Sequence, residues 1–310
     1  MSDYLFELIK HGRTETPDKS HLENRPFVNF RNTFEEEAPL YYPGEQLELA
    51  INTAIAVGEP LLITGEPGTG KTQAAYYVAH KLGLKLIRFQ VKSDTTAGDL
   101  LYHFDAVRYF YEANVRRDAE PLPDKGEFIE KRPLYLALEA EEPCVLLIDE
   151  IDKAPRDFPN DLLHEIDKLE FTVTETGRIV SAPPAKRPLV FITSNNERRL
   201  PEPFLRRCVY HNIRFSEEIV ENAVKARQQE FTRLNDEFVK LALKQFLALR
   251  SRGDLRKKPS TGECLTWLRI LSLATNLKIE SLQDEDLSKL PYLGVLIKDS
   301  QDFDAITKTR

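Results

Sequence analysis

The chain has 310 residues, 41% hydrophobic and 30% charged, with 43 Lys and Arg against 50 Asp and Glu for a net charge of −7 and a pI near 5.6. That composition is ordinary for a soluble globular protein, and the length suits one large α/β domain plus a smaller module. The acidic balance argues against general nucleic-acid binding, and the absence of any run of about 18 apolar residues argues against a membrane span.

The N-terminus lacks the basic-then-apolar pattern of a secretory leader, so a cytoplasmic location is expected. Cys144, Cys208 and Cys264 are scattered without metal-ligand spacing; they are expected as small hydrophobes in a reducing compartment. The six histidines form no cluster that suggests a metal site.

Residues 1–35 are polar and broken by Pro17 and Pro26, which reads as an N-terminal arm with short helical pieces. Tyr41-Tyr42-Pro43-Gly44 turns into a helix over Glu45 to Val57. Leu61-Leu62-Ile63 is a short apolar run that suits a buried strand. It runs into Gly65-Glu66-Pro67-Gly68-Thr69-Gly70-Lys71-Thr72, with the spacing Gly, four residues, Gly, Lys, Thr. Gln73 to Leu82 is free of Gly and Pro, and Gly83 follows as a C-terminal cap. Strand, glycine loop and helix together point successive backbone N–H groups into one concavity on the positive end of a helix dipole. The residues from Gly65 to Gln73 are therefore candidates to hold a triphosphate. Lys71 would reach the β/γ-phosphates, and the Thr72 hydroxyl would ligate Mg2+.

Further strands are expected at Leu86 to Val91, Leu189 to Thr193 and Val209 to Phe215. Cys144-Val145-Leu146-Leu147-Ile148 is an unbroken apolar run that ends in Asp149-Glu150, as in a strand buried on both faces with its acids at the carboxyl edge. Asp149 is the candidate to hold magnesium through its water shell, and Glu150 to orient or deprotonate an attacking water. Five strands alternating with helices give a doubly wound α/β pattern, whose ligands bind at the carboxyl ends of the strands. The glycine loop, Asp149-Glu150 and Ser194-Asn195-Asn196 all fall there. Phe171 to Thr174 and Arg178 to Val180, joined through Glu175-Thr176-Gly177, read as a β-hairpin. From about Ser216 the pattern turns helical through Val220, Val224, Phe231, Leu234, Phe238, Leu241, Phe246 and Leu249. Pro259 opens a last strong helix with Cys264, Leu265, Trp267, Leu268 and Leu271. The tail after Asp284 reads as partly ordered at best.

Together these elements resemble the AAA+ ATPases, and within them the MoxR-type branch, over roughly residues 35 to 290. The motifs that carry the resemblance are Gly65–Thr72, Val145–Asp152, the hairpin at 171–180, Ile192-Thr193-Ser194-Asn195-Asn196 and Leu200-Pro201-Glu202-Pro203-Phe204-Leu205-Arg206-Arg207. The resemblance implies a five-stranded parallel P-loop NTPase sheet with helices on both faces, a β-hairpin insertion before sensor 1 and a C-terminal α-helical lid. The implied divisions are an arm over 1–35, a nucleotide-binding domain over 36–215, and lid and tail over 216–310. Asn195 falls on the sensor-1 position, whose amide contacts the γ-phosphate or the attacking water. Arg207, with Arg206 the alternative, aligns with the arginine inserted into a neighbouring subunit's ATP site. The stretch from Asp99 to Lys131 resembles the branch's second insertion. One departure stands out: Ser260 occupies the expected sensor-2 arginine position, with Lys258 nearby as a point charge.

The implied function is Mg-dependent ATP hydrolysis by a homo-oligomeric ring, taken as a hexamer, that remodels a protein client. Two alternatives remain open: a nucleotide-dependent interaction switch with little turnover, and a DNA-linked remodeller. The hairpin's Glu170 and Glu175 beside a single Arg178 weigh against the last.

Overall fold

The computed structural model describes residues 34–115, 121–274, 279–284 and 286–307. Residues 1–33 of the arm, and 116–120 within the stretch from Asp99 to Lys131, lie outside the described residues. The strands in chain order are β1 (Leu61–Gly65), β2 (Lys85–Gln90), β3 (Tyr102–Phe104), β4 (Ile129–Lys131), β5 (Cys144–Asp149), β6 (Glu170–Val173), β7 (Arg178–Ser181), β8 (Leu189–Ser194) and β9 (Val209–Ile213). The longer helices are α1 (Glu45–Val57), α2 (Lys71–Leu82), α3 (Ala106–Val115), α4 (Glu217–Ala226), α5 (Asp236–Ser251), α6 (Thr261–Leu273) and α7 (Ser300–Thr307). The chain divides into two compact units, one of Pro43–Arg214 and one joining Phe215 onward to the segment that ends at Tyr42.

The first unit is built on a parallel sheet of order β2-β5-β8-β1-β9. β1 and β5 are buried at every position, because apolar side chains alternate onto two covered faces rather than one. On one face Leu62, Leu146, Ile148 and Ile192 pack with Leu134, Leu138 and Phe158. Leu61, Ile63, Leu147 and Phe191, at the alternating positions, are equally buried. β2 is an edge strand with an exposed and half-buried pattern, which places Arg88 and Gln90 on one face of it. The three interior positions in the order fall to β5, β8 and β1, so the carboxyl ends of these strands meet at one rim.

Between β2 and β5 the chain makes the small antiparallel pair β3–β4, with α3 between the two strands in sequence. The hairpin β6–β7 pairs Phe171 with Val180 and Val173 with Arg178. Gly177, at φ 69°, makes its turn. The hairpin is fastened by Phe171, whose ring stacks on Tyr102 at 6.0 Å and meets Tyr135 edge-on at 5.5 Å. An ion pair from Arg178 to Glu139 adds a polar anchor.

The second unit is helical, and its helices start where side chains satisfy the free backbone N–H groups. Ser216 accepts from Ile219 N, and Asn235 accepts from Phe238 N at 2.8 Å. Ser260 and Glu263 make a reciprocal capping box at the start of α6. Ser260 therefore stands outside the helix as its cap, and Pro259 precedes the helix rather than opening it. Trp267, Phe246, Leu249 and Leu268 form the centre of the core. Trp267 Nε1 donates to Pro291 O at 2.7 Å.

Two sequence readings change here. The segment 36–42, expected in the nucleotide-binding domain, falls in the helical unit: Ala38 is buried, Arg227 donates to Leu40 O, and Glu37 pairs with Arg227 and Arg269. The described part of the tail, 286–307, packs into the unit, since Leu293, Leu296, Ile297 and Ile306 join the same core. The buried Asp302 of α7 accepts from Arg256 N and Lys257 N at 2.9 Å each. Among the described residues no helix is long and apolar enough to cross a membrane.

Candidate active site

The loop from Gly65 to Gly70 owes its shape to glycine. Gly65, Gly68 and Gly70 hold φ of 150°, 75° and 89°, a region that a Cβ makes costly. At Gly65 a Cβ would also lie 2.7 Å from Ile213 O. Gly70 turns the chain directly into α2, which begins at Lys71, two residues ahead of the sequence expectation. The Thr69 hydroxyl donates to Glu66 O at 2.8 Å and braces the loop across its width.

Lys71 is 6% exposed, and its ammonium donates to Gly65 O at 2.9 Å and Glu66 O at 2.8 Å. Burial lowers its pKa, against the opposing pull of Asp152, Asp149, Glu150 and Glu66. A buried ammonium whose hydrogen bonds go to neutral carbonyls keeps its charge available to an incoming anion. Thr72 Oγ1 donates to Asp149 Oδ1 at 2.9 Å, which ties the loop to the end of β5. A hydroxyl and a carboxylate side by side are the hard oxygen donors that Mg2+ takes together with phosphate oxygens, so the residues fit the cation.

Asp149 is 1% exposed. Besides Thr72 it accepts from Thr193 Oγ1 at 2.6 Å and from Arg88 at 3.1 Å (Nε) and 2.5 Å (Nη2). Glu150 follows with φ 62°, a strained left-handed backbone for a non-glycine. Its N–H donates to Thr193 Oγ1 at 2.8 Å. Its carboxylate accepts from Gln90 Nε2 at 2.7 Å, Lys153 Nζ at 2.5 Å and Asn195 Nδ2 at 3.4 Å. The hydrogen bond to Glu150 raises the Lys153 pKa. Asp152 Oδ2 accepts from the backbone N–H of Asn195 and of Glu197, at 3.0 and 2.9 Å, and so fixes the loop after β8.

Lys71, Thr72, Asp149, Glu150 and Asn195 thus share one rim with the glycine loop. Arg206 and Arg207 do not join them. They precede Val209, which pairs with Leu61 at the start of β1, whereas the loop leaves the other end of that strand. Five strand residues separate the two levels by about 16 Å. Arg207 donates to Pro203 O at 2.8 Å and lies 3.9 Å from Asp167, and Arg206 lies 3.6 Å from Glu202 on the surface.

Sequence reasoning missed Arg88, Gln90, Thr193, Asp152 and Lys153. The alternation in Leu86-Ile87-Arg88-Phe89-Gln90 was the available signal, since it sets two polar groups on one face of a strand. Only the β2–β5 pairing, with Gln90 opposite Asp149, says what that face meets.

A parallel sheet with a glycine loop after β1, a lysine and threonine at the helix start and paired acids at the end of β5 defines a P-loop nucleotide-binding domain. Residues 60–208 match the AAA domain of the dynein-related subfamily. The chain is 30% identical over 150 residues to the denitrification regulatory protein NirQ of Stutzerimonas stutzeri, which covers 48% of each protein. It is 31% identical over 134 residues to a ClpA homolog protein of Fuscovulum blasticum, covering 43% of this chain and 14% of that one. The match thus spans about half the length of NirQ. A solved structure from Cytophaga hutchinsonii aligns over 89% of this chain and 93% of its own at 16% identity, with a TM-score of 0.41. Over residues 60–208 the chain is thus similar to the AAA domain of the dynein-related subfamily, in keeping with the resemblance its motifs carry.

Proposed function

We propose that this protein binds ATP with Mg2+ at the 65–72 loop and hydrolyses it as one subunit of a ring, taken as a hexamer, that remodels a protein client in the cytoplasm. The observation that carries the reading is the 2.9 Å contact between Thr72 and Asp149, which joins the phosphate loop to the acid pair. In this reading the backbone N–H groups of the loop and Lys71 hold the phosphates, and Thr72 and Asp149 hold the cation. The cation neutralises charge on the transferring phosphoryl group when it is bound. Glu150 takes the proton of the attacking water once its carboxylate leaves Gln90 and Lys153, and Asn195 orients that water. Arg207, with Arg206 the alternative, serves the site of the next subunit, because it lies at the opposite level of its own sheet from the loop. The helical unit after Phe215 takes the part of the lid, and the hairpin at 170–181 takes that of the element that meets the client.

The test is ATP turnover per subunit as protein concentration rises. A specific rate that climbs steeply, and that is lost in Glu150→Gln and in Arg207→Ala, supports a site shared between subunits. A rate that is flat with concentration and indifferent to Arg207 overturns the ring reading. One observation favours a second reading, a nucleotide-dependent interaction switch with little turnover: the Glu150 carboxylate is already engaged on both oxygens. Slow turnover together with nucleotide-dependent capture of a partner would select it.

A further inference from the structure

Asp149 offers a carboxylate's complement of about four acceptor positions, two on each oxygen, and each has a donor. Oδ1 accepts from Thr72 and Thr193, while Oδ2 takes both contacts from Arg88. A cation, or a water of its shell, that is to be held by Asp149 therefore has to displace one of these donors. Thr72 can keep its place, since its oxygen can face a cation while its hydrogen stays on Asp149. Thr193 is 1% exposed on the central strand β8, and its oxygen also accepts from Glu150 N, so moving it would break two contacts. Arg88 differs on both counts. It stands on the edge strand β2 with its side chain 33% exposed. Its Nη2 already lies 2.5 Å from Gln90 Oε1, which offers a second acceptor on the same strand. Of the donors on Asp149, Arg88 is the one built to yield.

We propose that Arg88 is a resident counter-cation for Asp149: it neutralises the buried carboxylate before the divalent cation arrives and must be displaced from Oδ2 for that cation to bind. The inference rests on the reading of the 65–72 loop as an Mg–ATP site and adds a positioning residue to it. The fork of a guanidinium gives two contacts on one carboxylate, which a lysine ammonium cannot reproduce. Arg88 thereby sets how much Mg2+ the site needs, and it couples metal binding to a movement at the sheet edge.

The experiment uses the full chain and a fluorescent, non-hydrolysable ATP analogue, with binding followed as free Mg2+ is raised. Arg88→Ala is expected to lower the half-saturating Mg2+ concentration about tenfold or more, the factor expected from losing a charged hydrogen bond that only the metal-free state makes. The melting temperature of the metal-free protein is expected to fall in the same variant, because Asp149 is left buried without its counter-charge. Arg88→Lys, which keeps the charge, is expected to shift the Mg2+ requirement in the same direction by a smaller factor. It also serves as the readout should the alanine variant not fold. A half-saturating Mg2+ that is unchanged or raised in both variants overturns the proposal and leaves Arg88 a structural brace. Lys71→Ala separates this failure from that of the underlying reading. If Lys71→Ala binds the analogue as the unsubstituted protein does, or if binding is indifferent to Mg2+ throughout, the loop is not an Mg–ATP site and both ideas fall.

Discussion

The tail after Asp284 offers a sharp test of the packing, through Asp302. This residue is 1% exposed and accepts from two consecutive backbone N–H groups, those of Arg256 and Lys257, at 2.9 Å each. Removing the carboxylate in Asp302→Ala strands two donors at once. Hydrogen bonds to a charged group contribute about 1.5–3 kcal/mol apiece, but the loop that carries these N–H groups is exposed enough to regain some water, so a total near 3 kcal/mol is expected. Asp302→Asn keeps neutral acceptor capacity and is expected to lose about half of that. The assay is urea unfolding followed by tryptophan fluorescence. The chain has one Trp, and Trp267 is fully buried in the helical unit, so the signal reads that unit alone. With a urea slope of about 1–2 kcal/mol per molar for a unit of this size, Asp302→Ala is expected to move the midpoint down by roughly 2 M. An alanine midpoint within about 0.3 M of the unsubstituted protein would falsify the reasoning and return the tail to a loose appendage.

Three further outcomes are expected. Gly65→Ala forces a Cβ to within 2.7 Å of Ile213 O at φ 150°; it is expected to cost about 2–3 kcal/mol in thermal unfolding and to abolish binding of a fluorescent nucleotide. Ser260→Ala removes the cap of α6 and is expected to cost about 1 kcal/mol by the same Trp267 signal, with no loss if the box is not formed. His211 has its pKa lowered from 6.5 by burial. Between its folded value and 6.5 the unfolded chain binds more protons, so stability rises with pH across that window and falls on acidification. Unfolding midpoints at pH 7.5 and 5.5 are expected to differ less in His211→Gln than in the unsubstituted protein, and an equal difference would remove His211 from the account.

What could be read from the sequence was whatever neighbouring residues decide among themselves. A strand that runs into glycines at 65, 68 and 70 and then into Lys71-Thr72 fixes its own loop shape, because only glycine tolerates those backbone angles without strain. The apolar run Cys144–Ile148 ending in Asp149-Glu150 likewise announces a strand covered on both faces, with its acids at the rim. The hairpin at 171–180 was legible in the same way, whereas the caps Ser216, Asn235 and Ser260 were not read. Nor were Arg88 and Gln90. They stand 61 and 60 residues from their partners Asp149 and Glu150, and nothing local says that β2 lies beside β5. Ser260 shows another limit: the resemblance said only that it stands where an arginine is expected, and the capping box shows what its side chain does, which is to satisfy the helix end. The tail was misread for a related reason: its scattered Leu and Ile residues have no periodic face of their own and become core only against α6. The sequence by itself therefore determined the loop, the acids and the alternation of strands and helices, where sterics and hydrophobic periodicity act over a few residues. The tertiary structure decided which polar groups face Asp149 and Glu150, where Arg207 stands, and what the tail packs on, because those depend on strand order and burial across distant parts of the chain.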